Sequence, residues 1–125
     1  MSGGWRSREI RSFGYALRGV VLAVKNERHM RFHLAAAIVV VLAACWLRVE
    51  RSEWLWLSAA IGGVWVAELF NTAIERVVDL ASPDVHPLAK AAKDTASGAV
   101  LIAAAVAAVI GAIVLGPALW DKLFG

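Results

Sequence analysis

Three apolar stretches separated by short polar breaks organise this chain, and the second changes character half-way along. Residues 54–67, WLWLSAAIGGVWVA, carry no charge, yet the following ELFNTAIERVVDL sets Glu68, Asn71, Glu75 and Asp79 in close succession. A helix needs about 20 predominantly apolar residues to cross the hydrocarbon core of a bilayer. The pattern predicts three such helices, over about 30–49, 54–80 and 95–117, the last being the cleanest. RVERSE joins the first two, and ASPDVHPLAKAAKD the last two. Pro83 and Pro87 make the second connection a loop, because proline lacks the donor that a helix interior requires. Ser82 or Asp84 is expected to cap the helix that follows.

Upstream, Phe13, Leu17, Val20 and Val24 fall on one helical stripe, with Arg11, Arg18 and Lys25 roughly opposite. This predicts a basic amphipathic helix over about 8–29, lying on the membrane surface. Glu27 returns close to the apolar stripe, so it needs a polar partner pointing back at it. The expected fold class is thus an all-α integral membrane protein in one domain: a surface helix followed by three transmembrane helices.

Composition sharpens this picture. The chain is 60% hydrophobic with mean hydropathy +0.66, too apolar for an ordinary soluble domain of 125 residues. No apolar stretch precedes residue 32, so a cleavable signal peptide is not expected. Seven of the thirteen Lys and Arg residues lie in the first 31 positions. With Lys90 and Lys93 they mark one side of the membrane, which the positive-inside rule makes cytoplasmic, N-terminus included. Trp46, Trp54, Trp56 and Trp120 gather at the other face, as an interfacial aromatic belt does. The single cysteine, Cys45, sits in an apolar run and excludes an intrachain disulfide. No nucleic-acid partner is expected.

The candidate chemistry lies in the second span. At about 100° per residue, Glu68, Asn71, Glu75 and Asp79 fall within roughly 80° of one another. They form one polar stripe roughly 16 Å long, starting inside the bilayer and ending at the cytoplasmic surface. Intramembrane carboxylates are costly and therefore point to function. Cations to pair with them are missing from the other spans, which weakens a purely structural ion-pair reading. An ion or proton path remains a rival. Lys93 and Asp94 at the start of the third span, and Glu27 at the end of the surface helix, favour a phosphate-and-metal site instead, since conduction gives no reason for a lysine there. Carboxylates on Mg²⁺ and a lysine for phosphate oxygens are the parts that phosphoryl transfer uses. His29 and His33 read as interfacial residues and not as ligands.

NER, ELFNTAIERVVD and HPLAKAAKDTASGAVL together closely resemble the small trimeric bacterial lipid kinases, the prokaryotic diacylglycerol kinase family, which includes undecaprenol kinase. The resemblance runs from about residue 7 to residue 117, and its E-x-x-N-[ST]-A-[IL]-E-x-x-V-D pattern is highly specific. It implies an ATP- and Mg²⁺-dependent kinase of a membrane lipid alcohol, unrelated to soluble kinases, in keeping with the lack of a Walker A or G-x-G-x-x-G sequence. By resemblance, Glu68 is the general base for the lipid hydroxyl, and Glu75 and Glu27 hold the metal bridging the ATP phosphates. Asn71 and Lys93 face the phosphates. Arg8, Tyr15, Asp79, His86 and Asp94 lie near the rest of the nucleotide, and Ser97 helps to line the lipid entrance. A homotrimer with sites between subunits is also implied, and small residues at Ala104, Ala108 and Ala112 permit close helix approach. The flanks RFHLAAAIVV, RSEWLWL and HPLAKAAKD resemble the undecaprenol kinases more than the proteobacterial diacylglycerol kinases.

Overall fold

A computed structural model describes residues 3–125. Four helices account for nearly all of them: α1 (Gly3–Asn26), α2 (Arg28–Leu47), α3 (Arg51–Ala81) and α4 (Pro87–Phe124). Among the described residues there is no strand. The last three helices are each long and apolar enough to cross a membrane, and the protein is an all-α, multi-pass membrane protein.

Each break has a local cause. Between α1 and α2 only Glu27 leaves helical geometry, at φ −105° and ψ 120°. Its N–H still donates to Ala23 O at 2.8 Å, while the Arg31 guanidinium donates to Lys25 O at 2.8 Å. A side chain of α2 thus satisfies a carbonyl left open at the end of α1. Ala23 and Met30, both almost fully buried, pin this corner against the rest of the chain. After α2, Arg48 adopts a left-handed conformation (φ 53°, ψ 49°), and Val49 N–H returns to Ala44 O at 3.2 Å. The Glu53 carboxylate then accepts from Glu50 N–H at 2.8 Å, capping the start of α3.

The α3–α4 connection differs from the expectation. It covers only residues 82–86, and α4 begins at Pro87. Proline at the first helical position is favourable, because its φ is already helical and no N–H is needed there. Neither Ser82 nor Asp84 caps α4. His86 does, its Nδ1 accepting from Leu88 N–H at 3.1 Å, while Ser82 Oγ donates to Asp84 O. Helix α4 also continues through Pro117 to Phe124. At ~1.5 Å per residue it is roughly 57 Å long, well beyond the ~30 Å hydrocarbon core. Lys90, Lys93 and Asp94 therefore ride on a rigid helical extension and not on a loop.

Helices α3 and α4 form the tightest pair, with α2 leaning more sparsely on both. Ala44, Leu57 and Val114 are buried together at the end away from α1, with Val40, Trp54, Ile110 and Leu115 around them. Most other large apolar side chains face outward, as they do in a protein whose solvent is lipid. Cys45 is among the outward-facing residues. Between α2 and the α3–α4 pair an apolar groove of about 340 Å³ opens, lined among others by Ala36, Ala60, Trp65, Ala104, Ala108 and Gly111.

Arg48 alone among the described non-glycine residues has a positive φ. Left-handed backbone costs an L-residue with a Cβ about 1–2 kcal/mol, of which the greater unfolded-state freedom of glycine offsets a part. Arg48→Gly is expected to raise stability by about 1 kcal/mol in thermal denaturation in detergent; a lower melting temperature would contradict this account of the turn.

Candidate active site

The polar stripe of α3 forms as a continuous helical face with a steep gradient of exposure. Glu68 is 2% exposed and Asn71 7% exposed, Glu75 is half-buried, and Asp79 is open to solvent. Thr72, buried beside Asn71, belongs to the same interior patch. Glu68 sits where α3 meets the α1–α2 corner. There His29, in the first turn of α2, brings Nδ1 to 3.7 Å from Glu68 Oε1.

One turn along, Asn71 Nδ2 donates to Glu75 Oε1 at 3.2 Å. The side-chain oxygen of Asn71 is buried and has no partner among the described residues. A buried acceptor without a partner is uncommon and marks a place where a donor or cation is wanted. Glu27 meets Arg76, whose Nη2 lies 3.6 Å from Glu27 Oε1. This is the polar partner that the helical position of Glu27 demands. Next comes the Lys93 ammonium, paired with the Asp79 carboxylate across the α3–α4 turn, while Lys90 pairs with Asp94 one turn apart on α4. Asp79, His86, Lys90 and Lys93 share a groove of about 290 Å³ at the end of the hairpin.

Not every residue singled out in the sequence reaches this assembly. Arg8 donates to Gly4 O at 3.2 Å and lies over the Trp5 ring, and Tyr15 is exposed with the Arg18 guanidinium over its ring. Both stay on α1, away from the stripe of the same chain. His86 is engaged as a helix cap, and Ser97 is exposed on α4. Two neighbours of the stripe were not apparent from the sequence. His29 reads as an interfacial residue in the sequence, and Arg76 is a cation on the second span itself. The acid at Glu27 signalled that a polar partner was needed, but not which residue would supply it.

The donor set suits a hard cation. Glu27 and Glu75 offer oxygens only, and the unpartnered Asn71 oxygen adds a third. Among the described residues no three His, Cys, Asp or Glu side chains converge as a ready-made cage. Mg²⁺ sites commonly use only one or two protein carboxylates and complete the shell with substrate phosphates and water.

The comparison with known proteins decides the family. The prokaryotic diacylglycerol kinase family matches residues 14–115. The chain belongs to the prokaryotic diacylglycerol kinase family. It is accordingly a phosphotransferase and a lipid kinase. The undecaprenol kinase of Bacillus subtilis is 42% identical over 113 residues, covering 90% of this chain and 92% of that protein. The diacylglycerol kinase of Synechocystis is also 42% identical, over 109 residues, 86% of this chain and 62% of that protein. The diacylglycerol kinase of Escherichia coli K12 is 38% identical over 109 residues, 87% of this chain and 89% of that protein. In this kinase the most buried acid of the stripe is thus also the one furthest from the water-soluble end of α3.

Asn71 gives the site a stability test. Asn71→Ala is expected to cost about 1 kcal/mol through the lost bond to Glu75. Asn71→Asp should cost more, because it sets a second carboxylate one turn from Glu75. Thermal denaturation of the two variants checks the order, and equal melting temperatures would contradict it.

Proposed function

We propose that this kinase transfers the γ-phosphate of ATP, bound with Mg²⁺, to the hydroxyl of a membrane lipid alcohol, and that the preferred acceptor is undecaprenol. The observation that carries the reading is the exposure gradient along α3, from buried Glu68 to solvent-exposed Asp79. Such a gradient suits a reaction between one reactant that lives in lipid and another that lives in water.

In this mechanism the lipid hydroxyl meets Glu68 at the buried end. Glu68 takes the hydroxyl proton as the oxygen attacks the γ-phosphorus. The bond from that phosphorus to the bridging oxygen breaks, and ADP leaves. Glu27 and Glu75 would hold Mg²⁺, which supplies charge neutralisation on the phosphates when bound. Asn71 and Lys93 face the phosphate oxygens, and for Lys93 this means exchanging or sharing its present partner, Asp79. Asp79, His86 and Asp94 line the path of the rest of the nucleotide. Arg8 and Tyr15 reach a nucleotide only across a subunit boundary, since α1 holds them off the stripe of their own chain. Ser97 borders the lipid entrance.

That boundary is part of the proposal. One chain leaves Glu75 half-exposed and Val66, Phe70 and Val77 exposed along α3. A homotrimer covers this helix with neighbouring copies and completes each site between them. The basic arm and the Lys90–Lys93 segment support, by the positive-inside rule, a site on the cytoplasmic side of the bacterial inner membrane.

For the acceptor, the support is the groove between α2 and the α3–α4 pair. Alanine and glycine line much of it, which leaves room for a long, thin isoprenoid chain. The flanking segments resemble the undecaprenol branch in the same direction. Diacylglycerol is the second reading, favoured by the 42% identity to the Synechocystis diacylglycerol kinase.

Glu68→Gln is expected to lower kcat by about 100-fold or more while nucleotide binding stays nearly unchanged; wild-type turnover in that variant would remove Glu68 from the mechanism. Glu75→Gln and Glu27→Gln should each raise the Mg²⁺ concentration needed for half-maximal rate. Their double variant should lose less than the sum, as residues sharing one ion do. Competition between undecaprenol and diacylglycerol in one micelle should favour undecaprenol by about tenfold in kcat/KM. A preference for diacylglycerol would overturn the choice of acceptor and leave the kinase reading standing.

A further inference from the structure

The stripe explains what Glu68 does but not what holds it. Glu68 is the most buried acid of the site, and its side chain is 3% exposed. Among the described residues, the only basic side chain within ion-pair distance is His29, with Nδ1 3.7 Å from Oε1. The other pairs near the site leave it alone: Arg76 serves Glu27, Lys93 serves Asp79 and Lys90 serves Asp94. The backbone of His29 is fixed by the fold, while its side chain is 77% exposed and reaches Glu68 from the surface of the corner. The residue lies in the first turn of α2, next to Met30, which is fully buried, and two residues past the break at Glu27. The Arg31 bond to Lys25 O and the burial of Ala23 fix the same corner from both sides.

We propose that His29 is a positioning residue for Glu68: the imidazole Nδ1–H holds one carboxylate oxygen and so turns the other toward the lipid hydroxyl. The inference rests on the assignment of Glu68 as the base. A separation of 3.7 Å exceeds hydrogen-bond length, which runs to about 3.2 Å for N–H donors. Catalytic contacts are often long before substrate binds and shorten in the reacting complex. A carboxylate that keeps both rotameric freedom and two equivalent oxygens spends part of its time facing away from the acceptor. Tying one oxygen to the α1–α2 corner removes that freedom. It also links the surface helix to the chemistry, because the corner that carries His29 is the end of α1.

The chemistry of the contact predicts an unusual rank of substitutions. The amide nitrogen of asparagine can occupy the place of Nδ1, whereas that of glutamine falls near Nε2, on the far side of the ring. His29→Asn should therefore retain most of the activity, while His29→Gln and His29→Ala should each lose about tenfold in kcat with KM for ATP nearly unchanged. In a Glu68→Gln background, His29→Ala should cause no further loss. The measurement is turnover of the full chain in mixed micelles with Mg-ATP and undecaprenol. Nitrogen-15 spectra of the imidazole, taken without ATP or lipid alcohol, read the contact apart from turnover: Glu68→Gln should move the His29 Nδ1 resonance. Wild-type kcat in His29→Ala, equal losses in all three variants, or an unmoved nitrogen resonance would each overturn the role of His29. An unsubstituted chain that transfers no phosphate, with the resonance still moved by Glu68→Gln, would instead overturn the kinase reading on which this role rests.

Discussion

An acid inside a membrane helix is the constraint on which the rest of this structure depends. Placing a charged side chain at the centre of a bilayer costs roughly 2.5–3.5 kcal/mol on insertion scales. Helix α3 carries Glu68 and Glu75 on one face, with Asn71 between them, in a chain that is otherwise dominated by apolar positions. The fold gives that face three polar supports. The α1–α2 corner brings His29 to Glu68 and sets Glu27 against Arg76. Asn71 donates to Glu75 from within the stripe. The long extension of α4 sets Lys93 against Asp79 at the exposed end. The break at Glu27 and the N-terminal extension of α4 therefore answer to the same helix face.

The arrangement also accounts for how so small a chain does phosphoryl chemistry without the glycine-rich loops of soluble kinases. Those loops wrap phosphates in backbone N–H groups. Here the backbone N–H groups are committed to long helices, as lipid requires. On the proposed mechanism, recognition would come from side chains on helix faces and from substrate phosphates completing the shell of a bound Mg²⁺. Oxygen donors from Glu27, Glu75 and the unpartnered Asn71 carbonyl, with lysine on the facing helix, are a set that meets this need. On the proposed mechanism, the exposure gradient along α3 would sort the reactants by solvent, with the lipid alcohol at the dry end and the nucleotide at the wet end.

Periodicity carried much of this information. The alignment of Glu68, Asn71, Glu75 and Asp79 follows from helical spacing alone, and the three spanning helices follow from apolar run length. The demand that Glu27 find a polar partner was also legible, although Arg76 as that partner was not, because it required knowing how the α1–α2 corner meets α3. His29 escaped for the same reason: its nearness to Glu68 spans 39 positions in the sequence and depends on one extended residue. The start of α4 was placed late because two prolines suggested a loop, whereas Pro87 opens the helix and His86 caps it. Resemblance assigns Arg8 and Tyr15 to the nucleotide; within one chain their side-chain contacts stay on α1. Spacing fixes which residues share a helix face, but not which faces meet.

The central claim is that the acidic face of α3 couples a water-borne nucleotide to a membrane-borne alcohol. It is tested most directly by stoichiometry in sealed lipid vesicles containing the purified protein, Mg-ATP and undecaprenol. ADP and lipid phosphate should appear together in a ratio of about one, as transfer of a single phosphoryl group requires. ADP released without lipid phosphate, or ion flux across the vesicle wall with no nucleotide consumed, would contradict it.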